Sequence, residues 1–154
     1  MLKRSSEQNR KTAETKIKVK MDIDGTGEYD INTGNGMFDH LLAQLSKHGL
    51  IDLYVRSEGD TEIGWHHLVE DTGIVIGKAL KDCVGDGTGI NRIAHAYAPL
   101  DESLARTVVD FSGRGYAVLD LMLGDIDMGD LPSDLVRHFL ESFAREAGCN
   151  LNIQ

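Results

Sequence analysis

Along residues 15–24 (TKIKVKMDID), Ile17, Val19, Met21 and Ile23 alternate with charged neighbours. That two-residue period predicts a strand with one buried face. Gly25-Thr26-Gly27 predicts a turn, and Glu28 to Thr33 a return strand. The period then changes. In 37–48, Phe38, Leu41, Leu42 and Leu45 recur at helical spacing, with Gly49 as the expected C-cap. Ile51 to Val55 predicts a third strand. Leu68, Val69, Ile74, Ile76 and Leu80 then mark a long helix from His66 to Val84, closed by GDGTG at 85–89.

The same order starts again downstream. Ser103 to Phe111 and Tyr116 to Leu123 are strand-like, separated by the turn Ser112-Gly113-Arg114-Gly115. Ser133 is the expected cap of a helix reaching Ala147, with Leu135, Phe139, Leu140 and Phe143 as its apolar stripe. Residues 149–154 begin one more strand. An offset of 88 places Glu14 on Glu102, Asp22 on Asp110, Gly25 on Gly113 and Gly27 on Gly115. Matches at turn glycines and acids, in a repeated element order, indicate a tandem duplication. The expected fold is a single α+β domain over 1–154. It uses a strand–strand–helix–strand–helix unit twice, with sheets packed on helices. Repeat one spans about 10–90 and repeat two about 91–154. On this logic the second repeat stops at its last strand, and its final helix is expected to be missing.

Composition narrows the partners. A chain of 154 residues with 41% hydrophobic and 27% charged residues suits one soluble core. Sixteen Lys and Arg against 25 Asp and Glu leave a net charge of −9, which argues against a nucleic-acid partner. The basic positions Lys3, Arg4, Arg10, Lys11, Lys16, Lys18 and Lys20 are interleaved with polar residues and read as a solvated edge. Cys83 and Cys149 fit no C-x-x-C pattern and are expected to be reduced thiols. The opening MLKRSSEQNRKT has no apolar stretch and no run reaches spanning length, so a cytoplasmic protein without a membrane partner is expected.

Candidate chemistry concentrates in HHLVED at 66–71. On a helix His66 and Glu70 share a face, whereas adjacent His66 and His67 diverge by about 100°. Two histidines pointing apart suggest two metal sites, each completed from elsewhere. The same residues also read as a polar helix start, with acids near the positive end of the dipole. Neither H-E-x-x-H nor H-x-x-E-H is present, so a zinc hydrolase fits poorly. His40, Gln44 and His48 form one polar stripe opposite the leucines, either a solvated face or part of an imidazole-rich site for Mn, Fe or Zn. Arg92 after GDGTGIN and Arg114 in SGRG sit where guanidinium forks and bare amides would suit a phosphate. No P-loop or dinucleotide fingerprint occurs. GDIDMGD at 124–130 lacks the order and closing Glu of a calcium loop and reads as an acidic loop.

NRKTAETKI, TGNGMFDHLLAQLSKHG, HHLVED, GTGINRIAHAYAPLDESL and DFSGRGY together resemble imidazoleglycerol-phosphate dehydratase, from about Arg10 to Ile153. The resemblance implies a duplicated α+β fold, trimers building a homo-oligomer of 24 subunits, and a pair of Mn²⁺ ions at subunit interfaces. It implies His40, His66, His67 and Glu70 as metal ligands. Glu14, Gln44, His48, Arg92 and Arg114, with the liganding histidines, would contact a small phosphorylated imidazole, the two arginines on its phosphate. Glu14 is the candidate base for removing water from imidazole glycerol phosphate in histidine biosynthesis. Departures are Gly64 where the family has Asp, Leu68 for Thr and Gly115 for Pro. A second-half histidine ligand is expected to fall at Asn152, with a second HHxxE helix and a lysine beyond residue 154. The second-half ligands are thus expected to be replaced or absent. The alternatives are a truncated, inactive homologue that retains fold and assembly, and a metal-binding or structural shell.

Overall fold

The computed structural model describes residues 4–124 and 126–154. Lys3 of the basic cluster and residue 125 of the acidic loop lie outside them. The first repeat runs β1 (Ser5–Lys11), β2 (Thr15–Asp22), β3 (Tyr29–Asn32), α1 (Gly36–Gly49), β4 (Asp52–Gly59), a 3₁₀ turn (Thr61–Ile63) and α2 (His66–Val84). The second runs β5 (Ile93–Leu100), β6 (Ser103–Asp110), β7 (Tyr116–Leu119), α3 (Asp134–Ala147) and β8 (Asn150–Ile153). The strands form two four-stranded sheets, ordered β1-β2-β4-β3 and β5-β6-β8-β7. This is the duplicated α+β architecture expected, with one more leading strand in each unit. The added strands carry no alternating apolar signal. Every second residue of SSEQNRK is exposed, and all of IAHAYAPL is.

One local expectation changes. The segment after Gly25-Thr26-Gly27 does not fold back onto β2. Instead β4 lies between them, antiparallel to β2 and parallel to β3. The turn is held on β4 by a side chain. Asp52 Oδ1, at the start of β4, accepts from the amides of Thr26, Gly27 and Glu28 at 2.8, 3.1 and 3.0 Å. The turn is therefore wrapped on β4, and β3 emerges one strand further away.

Ile17, Val19 and Met21 of β2, with Leu53 and Val55 of β4, are buried against Leu68, Val69, Val75, Ile76, Ala79 and Cys83 of α2. Each valine, leucine, isoleucine or methionine among them contributes about 1.5–3 kcal/mol by leaving water. The other side of α2 meets α3 at close range through Gly73 and Gly77. A Cβ at Gly77 would stand 2.6 Å from the Phe143 carbonyl oxygen, and one at Gly73 2.8 Å from that of Phe139. Beyond α3, Ala144, Ala147, Cys149 and Leu151 form a smaller cluster against the second sheet. Helices thus lie between two sheets. Ile93, Tyr97, Leu100 and Leu104 of β5, β6 and their connection remain exposed.

Three smaller expectations change with it. Leu41 and Leu45 are exposed, because the inward face of α1 is formed by Phe38, Leu42, Ala43 and Ser46. The C-cap of α1 is Leu50 in the left-handed conformation, with Gly49 the last helical residue. Ser133 precedes α3 but donates its hydroxyl to the Gly124 carbonyl instead of capping the helix.

Both cysteines are free and buried. Desolvation, reinforced by Asp22 and Asp82, pushes the Cys83 thiol up to about 11, and burial raises Cys149 as well. Thiolate, the reactive form, is therefore scarce at pH 8. A maleimide or iodoacetamide titration at that pH is expected to label neither cysteine in the folded chain and both in denaturant. Rapid labelling of the native protein would contradict the burial.

Candidate active site

The start of α2 builds the densest group. His66 Nε2 lies 3.4 Å from Glu70 Oε2 on the next turn, as the helical period requires. The His67 ring is nearly perpendicular to that of His66, at 83°, and its Nδ1 lies 3.4 Å from both oxygens of Asp60. The two imidazoles thus have different carboxylate partners, Glu70 for His66 and Asp60 for His67. Glu70 accepts from Ser142 Oγ of α3 at 3.3 Å and lies 3.9 Å from Arg145 Nη2. His138, also on α3, brings its ring centroid to 4.6 Å from that of His66. The close glycine contact between α2 and α3 is what lets these short polar reaches form.

Behind the site, buried Asp71 accepts from Arg10 Nε of β1 at 2.9 Å and from the Thr15 hydroxyl of β2. Thr15 is in turn bonded to Thr12, whose Oγ1 also takes the Glu14 amide at 3.1 Å. Glu14 is exposed in the β1–β2 turn, and its carbonyl accepts from the Asp60 amide at 3.1 Å. Glu14, Asp60 and His67 therefore share one neighbourhood.

The other expected residues lie apart. His40, Gln44 and His48 are exposed on α1, with Gln44 Oε1 2.9 Å from His48 Nε2. Among the described residues nothing joins them to His66, His67 or Glu70. Arg92 and Arg114 both act on Asp110, at the end of β6. Arg92 clasps Asp110 through Nε at 2.6 Å and Nη2 at 3.0 Å. That hydrogen bonding holds the Asp110 carboxyl below its ordinary range against some desolvation, and the Arg114 charge adds to it. Among the described residues no three His, Cys, Asp or Glu side chains converge into a metal-holding group. A cavity of about 530 Å³ on the outer face of the first sheet, lined by Glu7, Lys20 and Tyr54 among others, contains none of the candidate residues.

His138 escaped the sequence reading because the repeat offset changes along the chain. Three residues separate β3 from α1, whereas 120–133 separate β7 from α3. Beyond that longer connection the offset is 98, and His40 corresponds to His138 and Gln44 to Ser142. The packing confirms the correspondence. Gly27 abuts Ser46 and Lys47, as Gly115 abuts Ala144 and Arg145. Likewise Tyr29 pairs with Leu53 as Ala117 pairs with Leu151. The second-half counterpart of His40 is therefore present, on α3 rather than at Asn152.

Fold and site together define a tandemly duplicated α+β sandwich carrying an imidazole- and carboxylate-rich helix start. The family model for imidazoleglycerol-phosphate dehydratase matches residues 33–154. The chain is 48% identical over 152 residues to an imidazoleglycerol-phosphate dehydratase from Dehalococcoides mccartyi, covering 99% of this chain and 76% of the relative. It is 45% identical over 149 residues to one from Methanothermobacter thermautotrophicus, covering 97% and 77%. The crystal structure of the Staphylococcus aureus enzyme superposes with a TM-score of 0.86 at 31% identity, covering 97% of this chain and 82% of that one. That from Pyrococcus furiosus gives 0.82 at 28%, covering 96% and 78%. The chain belongs to the imidazoleglycerol-phosphate dehydratase family.

Proposed function

We propose that this protein removes water from imidazole glycerol phosphate to give imidazole acetol phosphate, a hydro-lyase step of histidine synthesis. The observation that carries the reading is His66 of α2, set against Glu70 on its own helix and against His138 of α3, with Glu14, Asp60 and His67 adjoining at the β1–β2 turn. The donor types suit Mn²⁺, which takes imidazole and carboxylate ligands. His66, Glu70 and His138 would supply part of one shell, and His67 part of a second. Asp60 facing Nδ1 leaves His67 its Nε2 as the donor atom. His40 would have to come from another copy, since α1 holds it outward; a homo-oligomer, with the trimer and 24-subunit cage of the resemblance, supplies one.

The proton to be removed sits beside a hydroxyl-bearing carbon and is barely acidic. A bound metal would supply Lewis-acid stabilisation of the deprotonated imidazole ring. Loss of the ring N–H proton lets the ring electrons expel the hydroxyl from the carbon attached to the ring, and that proton and hydroxide leave together as water. Glu14 takes the proton from the neighbouring carbon, and the resulting enol becomes the ketone. Arg92 and Arg114 hold the phosphate through charge-assisted bonds. Free buried thiols, in a chain whose described helices are too short or polar to span a membrane, suit a cytoplasmic setting.

The test is turnover of imidazole glycerol phosphate by the purified protein. Chelation is expected to abolish it and Mn²⁺ to restore it, with no nicotinamide or pyridoxal cofactor added. Turnover that survives complete metal removal would overturn the reading.

A further inference from the structure

The two repeats treat one position oppositely. Asp52 and Asn150 begin β4 and β8, and each faces the equivalent residue of the neighbouring strand, Asp22 and Asp110 respectively. In the first repeat the Asp52 carboxylate draws in three successive turn amides, those of residues 26–28. In the second, Asn150 Nδ2 donates to Ser112 Oγ at 2.9 Å and to the Arg114 carbonyl at 3.0 Å. Asparagine thus secures the same turn from its carbonyl side and places no negative charge inside it.

The consequence falls on the amides. The counterparts of the Thr26, Gly27 and Glu28 N–H groups are those of Arg114, Gly115 and Tyr116. Tyr116 N–H is used by the Cys149 carbonyl at 3.0 Å. Arg114 N–H makes only a long 3.4 Å bond to Ser112 Oγ, and among the described residues no protein acceptor meets Gly115 N–H. The charges differ in the same sense. Thr26 stands where the second repeat has Arg114, and Asp24 where it has Ser112. Asp24 engages Arg4 through both oxygens. One corner is closed by Asp52 and Asp24; in the other Arg92 is paired with Asp110, while the Arg114 guanidinium and the Gly115 amide stand beside the turn without a carboxylate from position 150.

We propose that Asn150 is the positioning residue that keeps the SGRG turn open to the substrate's phosphate, Asp52 marking the same position in its closed form. This rests on the proposed dehydratase reading. A carboxylate at 150 would accept the turn amides itself, as Asp52 does, and would neutralise Arg114 beside it.

The experiment compares the native protein with Asn150→Asp, Asn150→Ser, Arg114→Ala and Asp52→Asn. The readouts are KM and kcat for imidazole glycerol phosphate, and protection against thermal unfolding by inorganic phosphate. Asn150→Asp is expected to raise KM about tenfold to a hundredfold, the size of a lost charge-assisted contact, with kcat within about twofold. It should also abolish phosphate protection, as Arg114→Ala should. Asn150→Ser carries no charge and should shift KM much less. Asp52→Asn should leave KM unchanged. Native-like KM and protection in Asn150→Asp, or absence of phosphate protection in the native protein, would overturn the role. Protection that disappears in Asn150→Asp, in a protein without dehydratase turnover, would support the anion turn and remove the dehydratase reading.

Discussion

Gly77→Ala is expected to lower stability by about 2–3 kcal/mol, the upper range for overpacking a tight core contact. Propensity alone gives the opposite sign, because alanine is favoured over glycine within a helix by about 1 kcal/mol. Geometry decides against it. The new Cβ would stand 2.6 Å from the Phe143 carbonyl oxygen, 2.9 Å from Glu146 Cβ and 3.0 Å from the Ala147 amide. Two of these are backbone atoms of α3, so no side-chain rotation relieves the collision; the helix must move. That motion also separates His138 from His66 and Ser142 from Glu70, so metal affinity should fall with stability. Gly36→Ala, where a Cβ meets nothing within 4 Å, is the control and should leave stability unchanged. Circular-dichroism melting reads the first effect and Mn²⁺ titration the second. Equal melting temperatures for the Gly77 variant and the native protein would show that α3 yields freely.

The same pair of helices shows what the sequence could and could not convey. Ile17, Val19 and Met21 alternate because one face of β2 meets α2 and the other water, so that strand was legible. β1 and β5 lie at sheet edges and were not, since an edge strand needs no apolar period. The position of β4 between β2 and β3 goes with a tertiary contact, the side chain that opens β4 holding the turn, and such a contact has no periodic signature; β8 lies between β6 and β7 in the same way with Asn150 in that place. His66 and Glu70 were legible as a pair because helical spacing puts them together. His138 was not, because its link to them is tertiary and ten residues of connection hide its relation to His40. That no contact among the described residues joins His40, Gln44 and His48 to His67 was equally invisible, since both groups are regular polar faces of helices.

Asp71→Ala is expected to lower stability by about 2–3 kcal/mol as well. Breaking a buried ion pair by removing one partner costs about 3–5 kcal/mol. The lower figure applies because Arg10 retains 35% side-chain exposure against 12% for Asp71, and water can partly rescue it. The loss should reach the chemistry as well. Asp71 holds Thr15, Thr15 holds Thr12, Thr12 holds the Glu14 amide, and the Glu14 carbonyl holds Asp60 beneath His67. With that chain released, the β1–β2 turn can drift from the start of α2, and kcat should fall more than KM rises. Asp71→Asn, which keeps one acceptor oxygen, should retain more of both properties. The decisive comparison adds Arg10→Met to Asp71→Ala. If a stranded cation causes most of the loss, the double variant recovers stability in urea unfolding without recovering kcat. If it is no more stable than Asp71→Ala alone, the damage comes from the packing of α2 on β2 instead.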